Sequence, residues 1–426
     1  MKLMQNLPLR RLRKKSRPYL KGVSQLGLVL AVAGLTTLTL LGHAQMAPPA
    51  PPASPASLAP QNARYGLPLV GLSDAQLDDF ADGFEEFTNE ETPEGGLGPI
   101  FNNVSCVSCH SAPAVGGVSA VTVMRFGRMV NGVFDPMEAQ GGSLLQERAI
   151  DPSVQEVIPR EATVIAKRLT TPVFGLGLIE AIPDDTLLAL ARAPKPDGVS
   201  GRAAQITDVV SSRIRVGRFG WKAQQATLLA FSADAYVNEM GITNRFFPHE
   251  NAPNGDRSKL ARFDRFADPE DVVDPATGKA DIDHAADFMR LLAAPPRLPM
   301  NASARQGENV FAQLGCATCH TPILSTGRSP IAALDRKPVN LYSDLLLHNM
   351  GGTADGIAQA DAGIREMRTA PLWGLAGRHL YWHDGRAQNL DTAIRLHEGE
   401  AMRSRLRYEA LNVNARRTLL DFLNTL

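Results

Sequence analysis

All four cysteines of this chain fall in two copies of one spacing, Cys106-Val-Ser-Cys109-His110 and Cys316-Ala-Thr-Cys319-His320. A C-x-x-C-H run is the attachment motif of c-type haem. Thiols two residues apart reach the two vinyl groups of one porphyrin, and the adjacent imidazole lies under the iron as its proximal ligand. Two other chemistries use paired cysteines. A redox dithiol needs no neighbouring histidine, yet both pairs have one. A zinc site of four thiolates requires the pairs to converge from opposite halves of the chain and leaves both histidines unexplained. The spacing therefore predicts two covalently bound c-type haems, with His110 and His320 on the irons.

The elements around the motifs repeat in order. Gly83-x-x-x-Phe87 precedes the first motif and Gly307-x-x-x-Phe311 the second. Arg168-Leu-Thr-Thr-Pro172-Val-Phe-Gly-Leu176 follows the first, and Arg368-Thr-Ala-Pro371-Leu-Trp-Gly-Leu375 the second. A tryptophan run, Trp221 to Leu228, then answers Trp382 to Leu390. A shared order of three pieces argues for tandem haem domains.

Ser73-Asp-Ala-Gln76 reads as a capping box before a helix carrying Leu77, Phe80, Phe84 and Phe87. Ser303-Ala-Arg-Gln306 reads as a second box. Residues 184–192 and 222–238 read as helices, 110–160 as loops and short strands, and 251–280 as a polar loop or insertion. Ala293 to Pro299 reads as a linker. The final helix, Ala415 to Leu426, offers Phe422 and Leu423 to Gly307 and Phe311, since a glycine lets another helix approach closely. No long strand alternation is evident. The expected fold is mainly α, with two cytochrome-c-like domains, residues 63–295 and 296–426, each carrying one covalent haem.

The 426 residues balance 44 Lys+Arg against 44 Asp+Glu. That neutrality gives no argument for a nucleic-acid partner. It also hides an asymmetry. Residues 1–44 carry eight basic side chains, and the first acid of the chain is Asp74. A basic run, the apolar stretch from Leu26 to Gly42 and the small-x-small Gly42-His43-Ala44 form the anatomy of an export signal. An uncleaved membrane anchor is the alternative. Residues 45–62, rich in Pro, Ala and Ser, read as an extended tether. Without residues 1–44 the chain has 36 basic and 44 acidic residues, a net of −8. Such a surface suits steering of a basic electron-donor protein, a small c-type cytochrome or copper protein.

The two haem motifs, the run from Gly217 to Thr243, PLWGL at 371–375 and YWHDGRAQNLDTAIRLHEGEA at 381–401 resemble the di-haem oxidoreductases, a peroxidase family also labelled thiol oxidoreductase. The resemblance reaches more distantly to bacterial di-haem cytochrome c peroxidases and to the enzyme that matures methylamine dehydrogenase. In such enzymes one haem handles electrons while the other meets peroxide. The resemblance places the second ligand of the electron-handling haem at His397, fourteen residues after His383. His348 and Met402 are the runners-up. It puts Trp221 between the haems and makes Glu239, in Glu239-Met240-Gly241, the acid that protonates a departing oxygen. Glu180 is the alternative acid, and Phe231 stands where the family pattern has Gln. The calcium-binding T-x-P of the peroxidases is replaced at Arg378 and Leu380, so calcium is not carried over. For the first haem no second histidine follows closely, so it is open or water-ligated, or ligated by Met124 or Met129.

The expected function is an exported, periplasmic di-haem oxidoreductase reducing peroxide or a related oxidant. The alternatives are an electron-transfer cytochrome without substrate and an oxidase of thiols or protein side chains.

Overall fold

The computed structural model describes residues 65–266 and 272–426. The segments expected to be an export signal, residues 1–44, and a tether, 45–62, lie outside the described residues. Among those described, ten α-helices follow one another: α1 (Asp74–Thr88), α2 (Leu176–Glu180), α3 (Asp184–Arg192), α4 (Leu228–Ala235), α5 (Arg257–Phe263), α6 (Asp281–Leu291), α7 (Ala302–Gln313), α8 (Leu390–Arg395), α9 (Met402–Glu409) and α10 (Val413–Leu423).

The expectation of a mainly α fold is corrected. Helix accounts for 36% of the described residues and strand for 16%. The largest sheet is built on Thr122–Val130, which pairs antiparallel with Val133–Asp135, Leu144–Leu145 and Val164–Leu169. Short strands are expected within 110–160, but this one runs for 9 residues without the pattern that marks a long strand, for a physical reason. Successive side chains of a strand point to opposite faces. Met124 and Phe126 pack in a small apolar cluster with Met137 and Leu145. Val123 and Arg125 instead line a cavity. One face thus carries an arginine, and the apolar alternation that marks a strand disappears.

The haem motifs hang on two similar helix crossings. α1 packs against α6, and α7 against α10. A Cβ on Gly83 would lie 2.4 Å from the His284 carbonyl oxygen, and one on Gly307 would lie 1.9 Å from that of Thr418. Neither position tolerates a side chain at this spacing. One turn further along, Phe87 meets Phe288 with ring centroids 4.7 Å apart, and Phe311 meets Phe422 at 5.4 Å. The same two phenylalanines touch the motif histidines, Phe87 with His110 at 5.8 Å and Phe311 with His320 at 6.4 Å. The glycine therefore sets the crossing, and the crossing sets the histidine.

The first capping box is present as expected, Ser73 accepting from the Gln76 N–H and Gln76 from that of Ser73. The second is corrected. Asn301 caps α7, and Ser303 instead donates to Asp421 at 2.5 Å. The helix expected over 222–238 begins only at Leu228, capped by Thr227, and continues as a π-helical turn, Tyr236–Met240. The described residues fall in one compact unit, and Ala293 to Pro299 run within it, pinned where Ala293 N–H donates to Leu67 and Leu298 N–H to Thr425.

Gly307→Ala tests the crossing by sign. Helix propensity alone predicts a gain of about 1 kcal/mol. Overpacking against Thr418 predicts a loss of about 1–3 kcal/mol, read as a lower midpoint in thermal unfolding. A raised midpoint contradicts the crossing.

Candidate functional site

Two cavities contain the two motifs separately. Cys106, Cys109 and His110 line one of about 180 Å³, and Cys316, Cys319 and His320 line one of about 260 Å³. The cysteine pairs do not converge, which removes the four-thiolate zinc arrangement. Desolvation pushes the Cys316 thiol up to about 12 and Cys106 further still. Protonated thiols are poor metal ligands and poor exchange nucleophiles.

In the second cavity two imidazoles face each other. The His320 and His397 rings stand 6.4 Å apart between centroids. His320 Nδ1 lies 3.1 Å from the Tyr342 carbonyl oxygen and His397 Nδ1 2.9 Å from that of Ala393. A carbonyl only accepts, so both Nδ1 atoms carry the proton and both Nε2 atoms are left bare. Desolvation lowers His320 to about 4 and lowers His397 as well, keeping both rings neutral at pH 7. Neutral imidazole with its other nitrogen pinned is the metal-ligating form. A ligating nitrogen sits about 2 Å from a transition metal and its ring centre about 1.2 Å beyond, so two trans imidazoles on one metal stand about 6.4 Å apart.

The two runners-up do not compete. His348 is buried with Nε2 2.9 Å from Asp344 and Nδ1 2.8 Å from Glu400. Those carboxylates hold it charged, pushed up to about 12, so neither nitrogen has a lone pair for a metal. Met402 is exposed and does not line the cavity.

The first cavity differs. Among the described residues His110 is the single histidine lining it, with Nδ1 3.3 Å from the Gly117 carbonyl oxygen and its affinity for protons lowered to about 4 by desolvation. Neither Met124 nor Met129 lines this cavity, though Met240 and Met289 do. Met124 packs beside Phe126, and Met129 is 37% exposed. Glu239 does line it, on the π-helical turn. Its carboxylate accepts from Asn102 Nδ2 at 2.8 Å, and its carbonyl accepts the Asn102 and Asn103 N–H groups at 2.8 and 3.2 Å. Asn103 Nδ2 in turn reaches Cys109 Sγ at 3.5 Å. The residues just before the first motif thus tie the acid to it. Desolvation raises Glu239 above the ordinary carboxylate range, against the Asn102 bond and the charge of Arg125. Glu180 is elsewhere. It caps α4 through the Leu228 N–H at 2.7 Å, pairs with Arg290 at 2.8 Å and lines neither cavity.

Trp221 lines both cavities. Its Nε1 donates to the Leu169 carbonyl at 2.8 Å, while its own carbonyl accepts the Arg368 N–H at 2.9 Å. Arg368 also donates to Gly220 at 2.7 Å. The paired runs around Arg168 and Arg368 therefore clamp the tryptophan from both sides. Phe231 lines both cavities too. Edge contacts lead on from Trp221 to His383 at 6.3 Å, from His383 to Trp382 at 6.1 Å and from Trp382 to His397 at 5.4 Å.

Sequence reasoning missed two groups in the first cavity, Arg125 and Asp234. Arg125 lies on the strand Thr122–Val130, whose apolar alternation that arginine itself breaks. Asp234 lies five residues before Glu239, a spacing that faces one side only once the π turn is known.

Haem fits both cavities. Each offers a C-x-x-C pair, a neutral histidine and largely apolar walls. Each also has an arginine, Arg125 in the first and Arg405 in the second, whose Nε is buried without a hydrogen-bond partner among the described residues. Such cations suit the acidic edge of a porphyrin.

His348 gives a test of the second site. Its affinity for protons is raised on folding, so its stabilisation is complete below about pH 6.5 and is lost as pH rises toward about 12. His348→Gln removes the cation between two carboxylates and costs about 3–5 kcal/mol near neutral pH. In urea unfolding the gap from the parent narrows between about pH 6 and pH 10. A gap that widens contradicts the charged imidazole.

Solved structures with some likeness include hydrazine synthase from Kuenenia stuttgartiensis, at 13% identity, covering 95% of this chain and 100% of that one with a TM-score of 0.37. The diheme peroxidase BthA from Burkholderia thailandensis is 13% identical, covering 82% and 86% with a TM-score of 0.36. A MauG-like protein associated with microbial copper homeostasis is 18% identical, covering 60% and 89% with a TM-score of 0.30. Among curated proteins none matches by sequence. Residues 146–426 match the family described as "Di-haem oxidoreductase, putative peroxidase". That match takes in Trp221, Glu239, the second motif and His397, and the chain belongs to the di-haem oxidoreductase family.

Proposed function

We propose that this protein is an exported, periplasmic di-haem c-type oxidoreductase that reduces peroxide with electrons relayed from its second haem site to its first. The observation that carries this reading is the inequality of the cavities. One holds two neutral imidazoles at the spacing of a shared metal, and the other holds one imidazole and, on the same lining, an enclosed acid.

Haem, when bound, supplies the one-electron chemistry of its iron. The chain's residues do the rest. Cys106, Cys109, Cys316 and Cys319 would fasten the groups covalently, and His110 and His320 would each hold an iron. His397 would hold the second iron together with His320, and that site would then take electrons from a donor protein without offering room to a substrate. Trp221, held rigidly between the cavities, shortens the distance an electron crosses. Glu239 holds a proton beside the first cavity and gives it to the oxygen that leaves when the O–O bond breaks. Its enclosure, which raises its hold on the proton, suits a donor at neutral pH. The acidic surface left after removal of residues 1–44 steers a small basic cytochrome or copper protein.

Two variants test this in haem-loaded protein. Glu239→Gln lowers peroxide turnover about 10²-fold or more with haem content unchanged, and unaltered turnover assigns the acid elsewhere. His397→Ala converts one low-spin haem to high-spin, and an unaltered spectrum removes it as a ligand.

A further inference from the structure

Glu239 does not stand alone in the first cavity. Asp234 and Arg125 line the same space. Asp234 lies on α4 and Glu239 on the π-helical turn that extends it. An α-helix turns residues five apart away from each other. The i→i+5 bonding of a π turn brings them toward one face. Arg125 comes from the strand Thr122–Val130, and its positive charge acts on both carboxylates. Its Nε has no hydrogen-bond partner among the described residues. Asn238 Nδ2 donates to Asp234 Oδ1 at 3.0 Å, and Gln225 also bonds this carboxylate. The other charged side chain lining the cavity, Arg168, is already paired with Asp355 at 2.7 Å.

The arrangement has a stoichiometric reading that rests on the first cavity being the one that meets peroxide. Reducing a peroxide ROOH breaks one O–O bond and consumes two electrons and two protons, yielding ROH and water. The electrons come from the donor through the second site. A single enclosed carboxylic acid supplies one of the protons. We propose that Asp234 is the second proton donor of this site, paired with Glu239 around Arg125, so that each oxygen of the broken bond receives its proton from a separate carboxyl group. Arg125 then compensates the negative charge left behind until solvent restores the protons. Enclosure raises both carboxyl groups above their ordinary range, Arg125 opposing it in each case, so both hold protons more readily than a solvated acid.

The test uses haem-loaded protein and the variants Asp234→Asn and Asp234→Glu. Two readouts separate a proton donor from a structural bond. The first is the product from cumene hydroperoxide. Supply of both protons gives cumyl alcohol, whereas one-electron cleavage gives acetophenone. The second needs no turnover: the slope of the first haem's midpoint potential against pH, which reports proton uptake on reduction. Asp234→Asn should slow peroxide reduction at least tenfold, shift product from alcohol to acetophenone and flatten the slope. Asp234→Glu, which keeps the acid, should restore all three. If Asp234→Asn leaves product ratio and slope as in the parent, the proposal is overturned even if the variant is less stable. If the parent is inert to peroxide, the peroxidase reading falls. A slope that Asp234→Asn still flattens then upholds the proton-holding role of Asp234, and an unaltered one removes it.

Discussion

Three imidazoles, His110, His320 and His397, each rest Nδ1 against a backbone carbonyl, and that bond decides which nitrogen faces a cavity. The rest of the structure serves this constraint. The carbonyls belong to segments fixed by other bonds, and the rings are kept neutral by the protein around them. The helix crossings at Gly83 and Gly307 bring a phenylalanine against each motif histidine. In the second cavity two such rings stand 6.4 Å apart. In the first, His110 shares the cavity with Glu239 and Asp234. Among the described residues the inequality comes from His397, on the loop after α8, which lines the second cavity.

A buried set of charges flanks Trp221. Arg168 and Lys222 both pair with Asp355, at 2.7 and 2.9 Å, and these three side chains are at most 5% exposed. Lys222 also donates to the carbonyls of Gly363 and Glu366 at 3.1 and 2.6 Å. A buried ion set of this kind is weak evidence for net stability, but breaking one member leaves an uncompensated charge and is costly. Its positions matter more. Arg168 precedes Leu169, which accepts from the Trp221 indole, and Lys222 follows Trp221 directly. The network therefore fixes the backbone at Trp221 and at Leu169, both of which line the two cavities.

Much of this was legible in the sequence because it is local. The C-x-x-C-H spacing needs only neighbouring residues. The glycine and phenylalanine preceding each motif, four residues apart, name a helix face, and the last helix supplied the partner for one of them. α6, the partner of α1, was not recognised because its apolar positions sit among Asp, His and Arg in a polar stretch. Short strands were legible in 110–160, but the length of the one bearing Arg125 was not, because a cavity-facing side chain need not be apolar. Asp234 escaped because a π turn is a departure from the helical period that sequence patterns assume. His348 was read as a rival ligand because its two carboxylate partners, Asp344 and Glu400, come together only in the fold. Its neighbour Glu400 also takes hydrogen bonds from Ser200 and Gly201, so the same cluster fastens the two halves of the chain.

The central claim is that one haem site is closed by two imidazoles and the other is open. The most direct measurement is the optical and electron paramagnetic resonance spectrum of the haem-loaded protein, taken through stepwise reduction with and without peroxide. The account predicts one low-spin haem with two nitrogen ligands and, in the ferric or half-reduced protein, one high-spin haem that alone changes when peroxide is added. Two haems that stay low-spin in every redox state and ignore peroxide would contradict it.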